Sequence, residues 1–493
     1  MNRRIRARTA ALVGVLVAGL VQASPAAAAT CETLSSLTLP NTLITSASVV
    51  DGVCRVAATL TPSSDSDIKI EVWLPDPALW NGKFQAVGNG GWAGVISHGG
   101  LAAGVGDGYA TASTDTGHVG STAAFALGHP EKLTDMAHRA VHEMTVQAKA
   151  LINAYYDSAP TLSFWNGCSF GGRQGITAAQ RYPDDFDAIV AGAPAVNWMD
   201  LHVGRTAMNL SVNKAPIPPA KYPMIHDAVL QACDGLDGVK DGVLENPLAC
   251  RFDPEVLQCT GGKDGPSCLT SGQVKSAQVM YSGVKNPETG AVVVPGLEPG
   301  TELNWAVLGG PWPNGNALEA EKYIVHQDPK WNPRSFDLKK DLALASTVDP
   351  ALSSSSTDLK AFFDRGGKLL MYHGYSDPQV PDRNTINYFT KVADGAGKGL
   401  VGTHLQLYMV PGMDHCQGGP GTDRFNKMAA IESWVATGTA PGRIIGSHAT
   451  AGTVDRTRPI CPFGQVAKWD GVGSTDHEAS FACAADSASA ETK

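Results

Sequence analysis

The sequence predicts an α/β protein: a mostly parallel sheet made by alternating strands and helices, interrupted by a large insertion. Three observations carry this. Short apolar or alternating runs recur, each bounded by glycine, proline or aspartate, and a long stretch of helical spacing lies between two of them. From about Asn197 to Val348 the strand pattern stops and tryptophan, proline and glycine take over. Strand, helix and strand in succession imply right-handed crossovers and so parallel pairing.

The chain opens with "MNRRIRARTAALVGVLVAGLVQASPAAAAT", four arginines followed by an apolar run from Ala10 to Val21 and then small residues. That is the plan of a secretory signal peptide, expected over residues 1–29 with cleavage near Ala29. The apolar run is too short to cross a bilayer about 30 Å thick, and no later stretch reaches about 18 uninterrupted apolar residues. The mature chain is therefore expected to be exported, extracellular or periplasmic, without a membrane anchor. All ten cysteines lie beyond the leader, where an even count permits five disulfides.

Strands are expected at "IKIEVWLP", "KFQAVG", "TLSFW", "FDAIVAG", "KLLMYHG" and "HLQLYMVPG". Between the second and third, "DMAHRAVHEMTVQAKALINAYY" brings Met136, Val141, Met144, Ala148, Leu151, Ile152 and Tyr155 to one helical face. Residues 30–196 and 349–493 then form the catalytic domain, and 197–348 an inserted lid domain that reads as loops rather than a clear sheet. With 493 residues, 43% of them hydrophobic, the chain can bury a large core, and a net charge of −9 disfavours nucleic acid or an anionic membrane as partner.

"WNGCSFGGRQG" stands between a strand and a helix, and Gly167 to Gly171 fit G-x-S-x-G, the sharp turn that raises a serine hydroxyl above a sheet edge. Ser169 is thereby the candidate nucleophile. A serine nucleophile needs a base and a group to orient that base, and in this topology the chain order is serine, acid, histidine. "LLMYHGYSDPQVP" supplies Asp377 after one strand, and "LQLYMVPGMDHCQGG" supplies His415 after another. Asp382 and Asp414 are rival acids and His373 a rival base; the first lies further from its strand, the second adjoins the histidine, and the third reads as a supporting residue. Cys168 precedes Ser169 and Cys416 follows His415. If serine and histidine approach within about 3 Å, their neighbours come near disulfide range, so a Cys168–Cys416 bridge is expected to hold them in register.

These paired cysteines, with "GCSFGGRQG", "HGYSDP" and "VPGMDHC", resemble the tannase and feruloyl esterase family of secreted α/β-hydrolases, which also includes terephthalate monoester hydrolases. The likeness runs from "NGKFQAVGNGGWAG" to "IESWVATGTAPGRI", and departs at Phe170, where a polar residue is expected in many members. The resemblance implies an α/β-hydrolase fold with a large inserted lid, and Ser169, Asp377 and His415 as the triad. It implies a secreted serine esterase acting on esters of hydroxycinnamic or gallic acids, free or attached to plant polysaccharide or polyphenol. The alternatives are a terephthalate monoester hydrolase and a non-catalytic phenolic or carbohydrate binder.

Ester hydrolysis also needs donors for the developing oxyanion: the Phe170 N–H, next after the nucleophile, and one from "QAVGNGGWAG", with Gly91 favoured over Gly90. Trp198, Trp305, Trp312 and Trp331 make the lid rich in aromatics, which suits a flat acyl group, although packing the lid's own core accounts for at least half of them. In "CDGLDGVKDGVLENPLAC", Asp234, Asp237 and Asp241 and the carbonyls of Val239 and Val243 offer hard oxygen ligands. The resemblance implies a structural Ca²⁺ there, in the lid. It also favours the pairs 31–54, 259–268 and 461–483; Cys233 and Cys250 could close the aspartate loop. His138 and His142 lie four apart on the long helix, but with no third ligand zinc is not expected there.

Overall fold

In the computed structural model, which describes residues 30–396 and 399–486, the leader expected over 1–29 lies outside the described residues. Seven strands precede the insertion: β1 (Thr42–Val50), β2 (Val53–Leu60), β3 (Ile68–Leu74), β4 (Lys83–Val87), β5 (Ala110–Thr114), β6 (Leu162–Cys168) and β7 (Ala188–Gly192). The insertion carries a small hairpin, β8 (Val284–Lys285) and β9 (Val292–Val294), and the sheet resumes with β10 (Lys368–Gly374) and β11 (Leu405–Val410). One nine-stranded sheet runs β1-β2-β3-β5-β4-β6-β7-β10-β11, antiparallel from β1 to β5 and parallel from β5 to β11. This is the expected α/β-hydrolase arrangement, with a mostly parallel sheet.

The burial pattern follows from what covers each strand. β2 alternates buried and half-buried residues, as a strand with one covered face should, whereas β7, β10 and β11 are buried almost end to end. Along the central strands, Trp165, Ile189, Met371 and Leu407 join one core, while Phe164, Val190, Leu370 and Tyr408 join another. Successive side chains point to opposite faces, so these runs fill a core on each side of the sheet.

The long helix opens with a π turn, Asp135–Arg139, before the α-helix Ala140–Tyr156. After β11, Ile444–Thr450 (β12) pairs with Thr453–Ile460 (β13), and Gln465–Trp469 (β14) with Phe481–Ala485 (β15). Five disulfides join 31–54, 168–416, 233–250, 259–268 and 461–483, leaving no free cysteine among the described residues. Among those residues no helix is long and apolar enough to cross a membrane.

The expectation of a loop-built insertion is not met. Four helices, Trp198–Val212, Tyr222–Cys233, Ser271–Ser282 and Leu338–Leu352, surround a core that includes Met208, Ile225, Val274 and Trp305. The prolines misled because several stand in first helical turns, where no N–H is needed. The boundary expected at 348 falls inside the last of these helices.

Candidate active site

β6 ends at Cys168 and the helix Phe170–Arg181 begins two residues later, isolating Ser169 in the turn. Its backbone sits at φ 62° and ψ −123°, a conformation non-glycine residues hold only when their surroundings enforce it. The Ser169 N–H donates to the Gly192 carbonyl at 2.9 Å, and its own carbonyl accepts from Arg173 N at 3.1 Å and Ala195 N at 3.2 Å. The tightness excludes side chains nearby. A Cβ on Gly167 would lie 2.4 Å from the Gly171 oxygen, and one on Gly172 2.3 Å from the Gly192 oxygen.

Asp377 and His415 follow β10 and β11, at the same carboxyl edge of the sheet as Ser169. Asp377 is fully buried; its Oδ1 accepts from the N–H groups of Gln379 at 2.7 Å and Val380 at 3.0 Å. Its Oδ2 lies 2.6 Å from His415 Nδ1 and 3.0 Å from His373 Nε2. Burial would raise this carboxyl, but the two imidazoles outweigh it and hold Asp377 well below the usual carboxylate range. With Nδ1 donating to a carboxylate, the neutral His415 ring has Nε2 free to accept a proton.

The disulfide Cys168–Cys416, with Cα atoms 6.0 Å apart, joins the residue before Ser169 to the residue after His415. Turn and histidine loop are thus one covalent unit.

The helix begins at Phe170, so its N–H is among those the helix itself leaves without an acceptor. Gly91, at φ 52°, lies on the loop after β4. That loop is fastened to the helix Phe170–Arg181 by a reciprocal pair: the Asn89 N–H donates to Gln174 Oε1, and Gln174 Nε2 to Asn89 Oδ1, each at 3.0 Å. The insertion closes over it, with Trp92 Nε1 donating to the Asn316 carbonyl at 3.0 Å. The Phe170 ring is buried 5.0 Å from Trp198, which lies 5.2 Å from Trp92, forming an aromatic wall between helix, loop and lid.

The family model described as Tannase and feruloyl esterase matches residues 54–484. The chain belongs to the tannase and feruloyl esterase family. It is 35% identical over 566 aligned positions to an uncharacterized esterase of Xanthomonas campestris, covering 97% of this chain and 94% of that protein. A probable feruloyl esterase B-2 of Aspergillus terreus is 32% identical over 468 positions, covering 89% and 87%. The crystal structure of feruloyl esterase B from Aspergillus oryzae superposes with a TM-score of 0.85 at 30% identity, covering 92% of this chain and 99% of that one. As a member of this family the protein is a carboxylic ester hydrolase.

In this tannase-family site the rival residues have other partners. Asp414 turns to the lid, accepting from Asn304 Nδ2 at 3.0 Å, and burial, with Asp377 and Asp423 nearby, pushes it up to about 6. Asp382 opens the helix Asp382–Ala396 and accepts from the Arg383 N–H at 2.8 Å; burial raises it well above the usual range. His138 pairs with the Tyr182 hydroxyl at 2.8 Å and His142 with Asp185 at 2.9 Å, so the two rings share no ligand. Of the lid tryptophans, Trp198 alone joins the aromatic wall: Trp305 packs on Tyr222 and Tyr281, Trp331 stacks on His326, and Trp312 is exposed.

Two features escaped the sequence. The Asn89–Gln174 pair spans 85 residues with no local signal, whereas His373, read as a supporting residue, bonds Asp377 from within the core. Arg205 is the second: it donates to the Gln379 carbonyl on the Asp377 loop, and burial lowers it to about 10 although Asp377 favours its charge.

The aspartate loop is closed by Cys233–Cys250. Asp237 Oδ1 accepts from Val239 N at 2.8 Å, Asp241 Oδ1 from Val243 N at 3.1 Å, and Asp234 from Gly242 N at 3.2 Å. Burial, with Asp241 and Asp234 close by, pushes Asp237 up to about 6. The three aspartates offer oxygen ligands of the kind a hard cation takes, although Arg458 and Arg456 both pair with Oδ2 of Asp241.

Proposed function

We propose that this family member is an exported serine esterase that cleaves esters of aromatic acids, hydroxycinnamic or gallic, through an acyl-enzyme. Ser169 Oγ attacks the ester carbonyl while His415 Nε2 takes its proton. Asp377 fixes the ring and stabilises the imidazolium. The N–H groups of Phe170 and Gly91 receive the oxyanion, each such donor contributing about 2.7–4 kcal/mol to the barrier reduction. His415 then returns its proton to the leaving alcohol, and water activated by the same ring releases the acid. The observation that carries this reading is the 2.6 Å contact from His415 Nδ1 to Asp377 Oδ2, on a loop disulfide-linked to the residue before Ser169.

The aromatic acyl class is supported by the relatives named feruloyl esterases. Export is supported by the leader pattern and by five disulfides, which persist in oxidising compartments. We read residues 197–348 as the lid that bounds the acyl site. Asp234, Asp237 and Asp241, with the carbonyls of Val239 and Val243, would hold a structural Ca²⁺ that takes no part in the chemistry.

Initial rates on methyl ferulate, methyl gallate and a terephthalate monoester, for the wild type and Ser169→Ala, test the reading. One preferred ester, with turnover falling by at least about three orders of magnitude in a folded variant, is expected. Near wild-type turnover by Ser169→Ala would sink the serine mechanism, and a preference for the terephthalate ester would replace the acyl class.

A further inference from the structure

Away from the triad, the lid gathers three ligand-type side chains from two helical segments. Glu321 is fully buried, and neither of its carboxylate oxygens has a hydrogen-bond partner. The Thr206 hydroxyl nearby is donated to the His202 carbonyl at 3.2 Å. His326 Nε2 lies 3.7 Å from Glu321 Oε2 and 3.2 Å from Asp341 Oδ1. Asp341 is buried and its other oxygen accepts from the Asp337 N–H at 3.1 Å, which aims Oδ1 at the histidine. The donor atoms of all three lie within 4.8 Å of one another.

The local backbone makes this convergence. Residues five apart on an α-helix point about 140° away from each other. Here Ala320–Val325 is π-helical, and the 2.9 Å bond that closes its turn runs from His326 N to the Glu321 carbonyl. The wider turn brings both side chains to one side, facing the helix Leu338–Leu352. Trp331 stacks on the His326 ring with centroids 5.1 Å apart and keeps it there.

We propose that Glu321, His326 and Asp341 form a binding site for a divalent transition-metal ion, Zn²⁺ by its donor set, which joins the two lid segments. Ligands of a tetrahedral zinc, with bonds of about 2.0–2.1 Å, stand about 3.3 Å apart, close to the two separations measured from His326. An imidazole among the donors favours a borderline cation over Ca²⁺. A cation also supplies the partner that both Glu321 oxygens lack. With 20% of its side chain exposed, His326 is the least buried of the three.

The bound ion would brace the active site from outside. Residues just before the π turn reach the oxyanion loop, where the Asn316 carbonyl accepts from Trp92. The helix bearing Asp341 ends at Leu352, whose carbonyl accepts from Arg173 Nε on the nucleophile helix at 2.7 Å. The inference does not depend on the esterase reading.

Chelator-treated protein, with Ca²⁺ restored in excess to fill the aspartate loop, should be titrated with ZnCl₂ alone by calorimetry and its melting followed. Wild type is expected to bind one more equivalent of Zn²⁺ than Glu321→Gln or His326→Ala, and only wild type should melt several degrees higher with zinc. Equal zinc stoichiometry and affinity in all three proteins, or none bound by wild type, would overturn the site. Should Glu321→Gln fail to fold, His326→Ala, at the least buried of the three, decides the comparison.

Discussion

His373 and His415 meet at one oxygen: Asp377 Oδ2 lies 3.0 Å from Nε2 of the first and 2.6 Å from Nδ1 of the second. His373 Nε2 also faces the Val380 carbonyl at 2.9 Å, so it carries the proton, and its Nδ1 accepts from the Thr385 hydroxyl at 2.7 Å. Asp377 therefore receives four donors and stays ionised, and His415 is left with its tautomer fixed.

That geometry makes Asp377→Asn a sharp test. The amide oxygen is required where the Gln379 and Val380 N–H groups donate, which turns the amide NH₂ toward both imidazoles. His415 must then accept at Nδ1 and carry its proton on Nε2, where it can no longer take one from Ser169. A fall in kcat of about 10⁴ is expected, with KM little changed. A loss below tenfold in steady-state kinetics would remove Asp377 from the mechanism.

The bridge between Cys168 and Cys416 spans 248 residues, and the chain-entropy relation gives such a loop about 5 kcal/mol of stabilisation. Replacing both cysteines by serine should lower the melting temperature and also reduce kcat at temperatures where the variant is folded by circular dichroism. Unimpaired kcat in the folded variant would leave the bridge a purely stabilising role.

Chelating calcium should destabilise the protein by about 3–4 kcal/mol if the ion is present at 100 to 1,000 times its Kd. Asp237→Asn should melt lower in calcium than wild type and respond less to chelator. Identical melting with and without chelator, and no calcium by elemental analysis, would eliminate the ion.

Asp414 supplies a pH test whose sign is fixed. Its folded pKa is raised to about 6, so the stability linked to its protonation is fully present below the unfolded value of about 3.9 and is lost as pH rises through 6. Asp414→Asn keeps an amide oxygen for Asn304 and carries no charge. It should melt above wild type at about pH 7.5, with the gap closing toward pH 4. Parallel curves across that range would contradict the burial effect.

Much of the fold was legible because the strands flanking the site are covered on both faces and so read as apolar runs, as "HLQLYMVPG" does. β5 reads "ATAST" and carries no large apolar residue; it is a strand because β3 and β4 pair with it on either side, which no local pattern announces. β1 and β2 went unread for a related reason, being an edge strand and a half-covered neighbour. At the candidate site, turn glycines and cysteine positions gave the order of Ser169, Asp377 and His415. His373, a rival base that read as a supporting residue, is fully buried against Asp377, a contact that sequence cannot show. The metal-type cluster was invisible, since only a π turn brings Glu321 and His326 to one side.

The bridge from Cys168 to Cys416 has one further result. The pairs 31–54 and 461–483 lie outside the insertion, and 233–250 and 259–268 close within it, so 168–416 alone spans it whole. If a protease cuts the insertion at one point, the two fragments stay covalently attached, one bearing Ser169 and the other Asp377 and His415. A nicked molecule would migrate as a single species under non-reducing conditions, with these candidate catalytic groups still tethered, and as two after reduction.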